Sequence, residues 1–279
     1  MEDDVSDTGF SPQQIDTTTP HPARMYDYYL GGMDNYAVDR EAAERVLGHA
    51  PFIRPTAQGN RVFHHRAVRT VVKQGIRQII DIGTGIPTSP NTHEVAKAVA
   101  PDTRVVYVDN DPIVATYAGA KLTNSGNAGF VLGDLREPDA LLDAPVTREL
   151  IDFREPVALT LCAVVHFIVD DEGPREILSA LTSRLAEGSC LVLSHITADF
   201  DEADEMAQAS SVYKNSTAQL IARGHDEVLS YFDGFELLEP GLVKPPLWRP
   251  DGPVPSEEEL VDHRGYAGVG IKGGLADGA

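Results

Sequence analysis

Apolar residues in this chain fall into short runs, largely β-branched, separated by segments with a helical period. The runs are 79–82, 105–108, 129–132, 157–163, 190–195, 235–238 and 266–271. Runs of this length bounded by turn formers read as strands, and continuous ones as strands buried on both faces. Between them, Val62, Phe63, Ala67, Val68, Val71 and Val72 share a helical face in a segment set up by Pro55 and ended by Gly75. Ser89-Pro90 has the form of an N-cap followed by a first-turn proline, ahead of Val95, Ala96, Ala98 and Val99. Asp111 is placed to cap a helix through Val114, Tyr117, Ala118 and Leu122. Further helices are predicted over about 139–152, from Pro174 to a C-terminal cap at Gly188, over about 201–222 with a break near Asn215, and over about 226–231. The Pro-rich stretch 243–255 reads as a long loop.

Strands alternating with helices predict an α/β domain over residues 56–279, a mostly parallel sheet covered on both faces. Upstream, residues 21–55 carry two helical patterns around the break Gly31-Gly32, with Tyr26, Tyr28, Tyr29 and Tyr36 close together. On residue chemistry alone this is a packed helical cap, since tyrosines bury a body and leave one polar end wet. Residues 1–20 hold Glu2, Asp3, Asp4, Asp7 and Asp16 with no basic residue, and are expected to form a disordered acidic arm.

Charge narrows the partners. The formal net charge of −20 disfavours binding a nucleic-acid backbone, which needs a basic face, and favours a small-molecule substrate. No apolar run approaches the roughly 20 residues needed to cross a bilayer. The start of the chain lacks the basic and apolar regions of a secretory signal, so a cytoplasmic location without a membrane partner is expected. Cys162 and Cys190 sit inside apolar runs and read as buried free thiols.

The chemistry gathers at the ends of the first three runs. Asp81-Ile82-Gly83-Thr84-Gly85 places an acid and two glycines where the first strand ends, and glycine lets a ligand lie against the main chain. Asp109 ends the second strand and Asp134 follows the third. In an open α/β sheet these positions face one crevice, and an acid about 20 residues past the glycines suits the hydroxyls of a ribose. Thr88 stands where a dinucleotide fingerprint has its third glycine, and Pro87 precedes it. That departure disfavours a pyrophosphate, whereas the acid before the glycines suits a ligand with a cationic amino end. Neither a Gly-x-Ser-x-Gly elbow nor a Walker-type phosphate loop is present, and His64, His65 and His93 have no metal-like spacing. No metal is expected.

Over residues 56–279 these motifs resemble the class I S-adenosylmethionine-dependent methyltransferases. Asp81 to Gly85 is similar to the family's glycine motif, Val106-Tyr107-Val108-Asp109 to its acidic second-strand end, and Gly133-Asp134-Leu135 to its third-strand motif. The run Leu159 to Phe167 resembles the fourth-strand motif, histidine included, and Gly188 to Ser194 the fifth strand. Pro22 to Gly32 resembles a largely uncharacterised bacterial subfamily assigned to the same fold. The resemblance implies a Rossmann-like, doubly wound, seven-stranded sheet with added N-terminal helices. It also implies S-adenosyl-L-methionine as cofactor and S-adenosyl-L-homocysteine as product, with a small-molecule methyl acceptor.

Residue by residue, it assigns the cofactor to Asp81, Gly83, Gly85, Asp109, Asn110, Asp134, Leu135, Cys162 and Ala163. Asp81 holds the amino group and Asp109 the ribose, while Asn110, Asp134 and Leu135 meet the adenine. Tyr29 is expected to cover the cofactor, and Tyr28, Asn35 and Tyr36 to shape the acceptor pocket together with His166 and His195. His166 is the candidate general base where the acceptor must lose a proton, the alternative being a structural histidine. Arg24 faces either a ligand carboxylate or a neighbouring aspartate. Two other functions fit the same residues: a non-catalytic S-adenosylmethionine-binding protein and an NAD-dependent oxidoreductase.

Overall fold

The computed structural model describes residues 16–121, 126–200 and 203–273. Seven strands are present: β1 (Gln78–Ile82), β2 (Arg104–Asp109), β3 (Ala128–Leu132), β4 (Ala158–Cys162), β5 (Cys190–Ile196), β6 (Phe235–Leu237) and β7 (Gly265–Lys272). They form one sheet in the order β3-β2-β1-β4-β5-β7-β6. All pairings from β3 to β5 are parallel, and β7 runs antiparallel to both neighbours. The expected seven-stranded, mostly parallel, doubly wound sheet is therefore the fold found.

Alternation along the strands explains the layers. Ile79, Val105 and Tyr107 face α3 (Ile53–Lys73), α4 (Thr92–Lys97) and α5 (Pro112–Lys121), whose Val71, Val95 and Ala118 complete that core. Ile80, Ile82, Val106 and Val108 face the other way, against Leu141 of α6 (Pro138–Leu142), Leu178 of α8 (Pro174–Ser183) and Val228 of α10 (His225–Ser230). A third cluster joins α1 (Pro22–Tyr29), α2 (Ala37–His49) and α9 (Ala203–Tyr213), with Met25, Ala43, Val46, Met206 and Ala209 at its centre. This cluster includes Ile196 at the end of β5, which sets the cap over the carboxyl ends of the strands.

Several local expectations are corrected. The helix expected from Ser89 begins at Thr92, because Glu94 accepts the Asn91 backbone N–H at 2.6 Å and closes its first turn two residues later. The 139–152 segment is broken by Pro145 into α6 and α7 (Pro145–Leu150). Gly188 does not cap α8, which ends at Ser183; with φ +80° it turns the chain into β5. Residues 214–224 are not helical. After a local turn at Asn215 and Ser216, amides are spent on tertiary bonds, Thr217 N–H to Pro20 O at 3.1 Å and Ile221 N–H to His166 O at 2.8 Å. Val62 faces solvent, and α11 (Glu257–Leu260) follows the Pro-rich loop. The boundary expected at residue 56 lies within the first turn of α3, whose Ile53 and Ala57 belong to the cap cluster. Residues 1–15 of the expected acidic arm lie outside the described residues, as do Leu122 and Asp201 of two expected helices.

Candidate active site

Strand order reverses between β1 and β4, and the carboxyl ends there open a cleft of about 130 Å³. Gly83 holds φ +73°, and a Cβ on it would lie 2.5 Å from the Val164 side chain, so both conformation and space require glycine. Gly85 holds φ +67° and donates its N–H to Asp109 Oδ2 at 2.8 Å. The other Asp109 oxygen accepts from the Asp111 N–H at 3.0 Å. Burial raises the pKa of Asp109, while His21 and these two amides favour its charged form. The glycine turn and the second-strand acid are thus one hydrogen-bonded unit. Asp111 in turn accepts from Ile113 N–H at 2.9 Å and caps α5 as expected.

Asp81 is buried, with its oxygens accepting from Thr160 at 2.6 Å and Thr92 at 2.5 Å. His64 Nε2 lies 3.9 Å from Asp81 Oδ1, and burial lowers the pKa of that histidine. Asp134 accepts from the Arg136 guanidinium at 3.0 Å and from Asn110 Nδ2 at 3.0 Å. Its burial works against charge, yet the Arg136 backbone N–H, Asn110 and the guanidinium together hold its pKa below the usual carboxylate value. Asp81, Gly83, Gly85, Asp109, Asn110, Asp134, Leu135, Cys162 and Ala163 all line this cleft.

A second cavity of about 60 Å³ adjoins it and shares Pro22, Tyr26, Asn60, Ala163 and Phe167 with it. Ala163 is the pivot. It holds φ +57°, a conformation that costs a non-glycine residue about 1–2 kcal/mol. Its N–H donates to Ser194 Oγ at 2.9 Å, and the Ser194 hydroxyl donates to Asn60 Oδ1 at 2.6 Å. Asn60 Nδ2 donates to the Tyr26 hydroxyl at 2.8 Å, which donates to Ala57 O at 2.9 Å. This relay ties α1, α3 and β5 to the turn after β4 at the junction of the two cavities.

The structure separates the residues expected to face the acceptor. His166 and His195 line the second cavity, their rings edge to face at 5.4 Å. His195 Nδ1 lies 2.6 Å from Ile196 O and must donate to it, which leaves Nε2 to accept from Arg223 Nη1 at 3.2 Å. Burial, reinforced by Arg223, brings its pKa down to about 3, against the pull of the Ile196 carbonyl. With both nitrogens spent, His195 is a wall residue. Tyr29 lines the second cavity and not the first, its hydroxyl 3.2 Å from that of Tyr213. Tyr28, Asn35 and Tyr36 line neither cavity. Tyr28 donates to Glu44 on the cap surface, Asn35 donates to Asp27 at 2.7 Å, and Tyr36 is exposed beside Arg24. The reason is helical phase: Tyr26 and Tyr29 share one face of α1, and Tyr28 is turned away. Arg24 meets aspartates, Asp111 at 3.1 Å and Asp39 at 3.5 Å.

Asn60, Arg136 and Tyr213 carry no signal in the sequence; Tyr26 stood there only in the tyrosine cluster and Phe167 only at the end of the fourth-strand run, and the spacing of Tyr26 and Tyr29 marks their shared face. Among the described residues, no cluster of His, Cys, Asp or Glu is arranged to hold a metal ion. No described helix is long and apolar enough to cross a membrane.

A sequence profile for S-adenosyl methyltransferases matches residues 8–273. The chain belongs to that family. It is similar to a DUF574 family protein of Streptomyces avermitilis MA-4680, with 40% identity and a TM-score of 0.88 over 93% of this chain and 100% of that one. A methyltransferase candidate of Thermobifida fusca YX is 37% identical, with a TM-score of 0.87 over 94% and 98% of the two chains. An ornithine lipid N-methyltransferase of Singulisphaera acidiphila is 29% identical over 98 residues, 35% of this chain. The chain spans about half the length of that curated relative, 50%.

As a member of the S-adenosyl methyltransferase family, the protein is an S-adenosylmethionine-dependent methyltransferase that yields S-adenosylhomocysteine. The cleft fits that cofactor. Carboxylates at the ends of β1 and β2 and after β3 suit a ligand carrying cationic groups and ribose hydroxyls, and Gly85 leaves open space in which a Cβ would meet nothing within 4 Å. The nicotinamide and non-catalytic alternatives give way to this assignment.

Proposed function

We propose that this methyltransferase transfers its methyl group to a small-molecule acceptor seated in the second cavity, with the cofactor in the first. The observation that carries the reading is the shared wall of Tyr26, Asn60, Ala163 and Phe167 between the two cavities. Bound S-adenosylmethionine supplies a methyl group already activated by its sulfonium, so the protein's task is alignment of the acceptor.

In this reading Asp109, oriented by Gly85 and Asp111, accepts the ribose hydroxyls. Asp81 faces the amino group; with Thr160 and Thr92 each taking one lone pair, its oxygens keep further acceptor capacity. Asn110, Asp134 and Leu135 border the adenine, and Cys162 and Ala163 the methionine tail. The relay from Ala163 through Ser194 and Asn60 to Tyr26 fixes the boundary past which the methyl group moves. Residues 21–55 act as a helical cap on the catalytic domain that follows, and Tyr29 serves the acceptor side. The acid surface and the small second cavity support a diffusible cytoplasmic acceptor over nucleic acid or membrane. Titration calorimetry with S-adenosylmethionine and S-adenosylhomocysteine tests the reading. Saturable binding is expected, and folded protein that binds neither overturns it.

A further inference from the structure

The geometry points to an uncharged acceptor in the second cavity, held at an oxygen or nitrogen lone pair by a hydrogen bond donated from His166 Nε2. This rests on the reading of that cavity as the acceptor site.

The wall of the cavity carries no charge. Among the described residues lining the cavity there is no aspartate, glutamate, lysine or arginine. Its polar groups are hydroxyls, the Asn60 amide and the two imidazoles. Burial pushes the phenols of Tyr26, Tyr213 and Tyr266 up to about 12, so they stay neutral. Ile53, Ala57, Phe167, Ile196 and Leu220 provide the apolar remainder. A carboxylate, phosphate or ammonium placed here loses its hydration and finds no counter-charge. An uncharged molecule with an apolar body keeps the contacts and needs only a few hydrogen bonds.

His166 supplies the donor. The Ile196 backbone N–H donates to its Nδ1 at 3.4 Å, and an amide N–H has no other role. Nδ1 is therefore the lone-pair nitrogen, and the ring proton sits on Nε2. Among the described residues no group pairs with Nε2, and it is not sealed from solvent-sized space. Its ring stands against Phe167 at 4.5 Å and His195 at 5.4 Å, in the wall of the cavity. The charged and titratable groups facing it are His195 on β5 and Arg223 between α9 and α10, and both oppose a second proton, as burial does first of all. A nitrogen that already carries its proton cannot take one from the acceptor. His166 is thus a donor that positions the acceptor, and the general-base role considered for it is not the one this geometry supports.

The test uses the full chain saturated with S-adenosylhomocysteine and three probes of similar size: benzamide, benzoate and benzylammonium at neutral pH. Calorimetry should show benzamide binding at millimolar concentration, the range for so small a fragment, and at least tenfold more tightly than either ion. Nitrogen-15 NMR of the histidines should place the His166 proton on Nε2 and show that signal moving on benzamide addition. His166→Ala should weaken benzamide at least fivefold, and His166→Gln, which keeps an N–H donor, should recover part of the loss. Benzoate or benzylammonium binding as tightly as benzamide overturns the inference, as does absence of benzamide binding or a proton on Nδ1. The NMR result stands on unmodified protein even if a variant fails to fold. Failure of S-adenosylhomocysteine to bind would instead strike the cofactor reading.

Discussion

Asp81, Asp109 and Asp134 wall the first cleft, whereas the second, which meets it at Tyr26 and Ala163, has no carboxylate among its described lining residues. The three carboxylates of the first each lie within a few residues of the end of β1, β2 or β3, while α1, α3 and residues 217–218 complete its wall. The second takes Ala163, His166 and Phe167 from the turn after β4, but most of its wall comes from α1, α3, β5, the segment after α9 and β7. A strand-end site is tied to the sheet and hard to vary without unfolding it. A site made of cap helices and connectors can change its lining while the sheet stays fixed. In the proposed reading, cofactor binding falls to one half of the crevice and acceptor choice to the other.

The largest effect that would sharpen this comparison is on the cofactor half. Asp109→Ala should weaken S-adenosylhomocysteine binding by about 1–3 kcal/mol, the scale for hydrogen bonds to a charged group. Calorimetry showing unchanged affinity would remove the ribose assignment. At the junction, Ser194→Ala orphans Asn60 Oδ1 and leaves the Ala163 N–H only its longer bond to the Ser194 carbonyl at 3.3 Å. Denaturant unfolding should show a loss of about 2 kcal/mol, as for buried groups left without partners; a loss near zero would show that the relay does not hold the strained Ala163.

A third test separates the halves by pH. The folded pKa of His195 is depressed to about 3, so its contribution to stability is complete above the unfolded value and falls as pH drops through it. Between about pH 7.5 and 5.5 the wild-type chain should lose about 1.4 kcal/mol more than His195→Gln, given an unfolded pKa near 6.5. Equal slopes for the two would mean that the imidazole charges in the folded state. The smallest effect concerns Tyr28. Tyr28→Phe, which removes a bond to Glu44 on the cap surface, should change stability by less than about 0.5 kcal/mol and leave cofactor affinity unmoved. A clear loss of cofactor affinity in that variant would return Tyr28 to the site.

How much was legible follows the same division. Gly83, Gly85 and Asp109 could be read because strand ends, glycine turns and ribose-binding acids are local patterns, and the Gly85 to Asp109 bond joins two of them directly. The fold was legible because seven apolar runs alternate with helical segments. The second cavity was legible only in part: His166 and His195, expected in the acceptor pocket, line it. The resemblance put Tyr28 in the pocket, whereas helical phase brings Tyr26 and Tyr29 to the cavity. Asn60 and Tyr213 carry no motif, Phe167 stood only at the end of the fourth-strand run, and their meeting depends on how α1, α3 and α9 pack. The non-helical 214–224 segment was missed because its apolar residues keep a helical spacing while its amides serve Pro20 and His166. Likewise Ser89-Pro90 looks like a cap, and only the Glu94 contact shows where α4 begins.

A crystal structure of the protein with S-adenosylhomocysteine tests the division between the two cavities at its centre. The expected complex has the ribose hydroxyls on Asp109 and the sulfur beside Ala163, facing Tyr26 and Phe167 and the second cavity. A sulfur turned away from that cavity, or a ribose held elsewhere, would contradict the division.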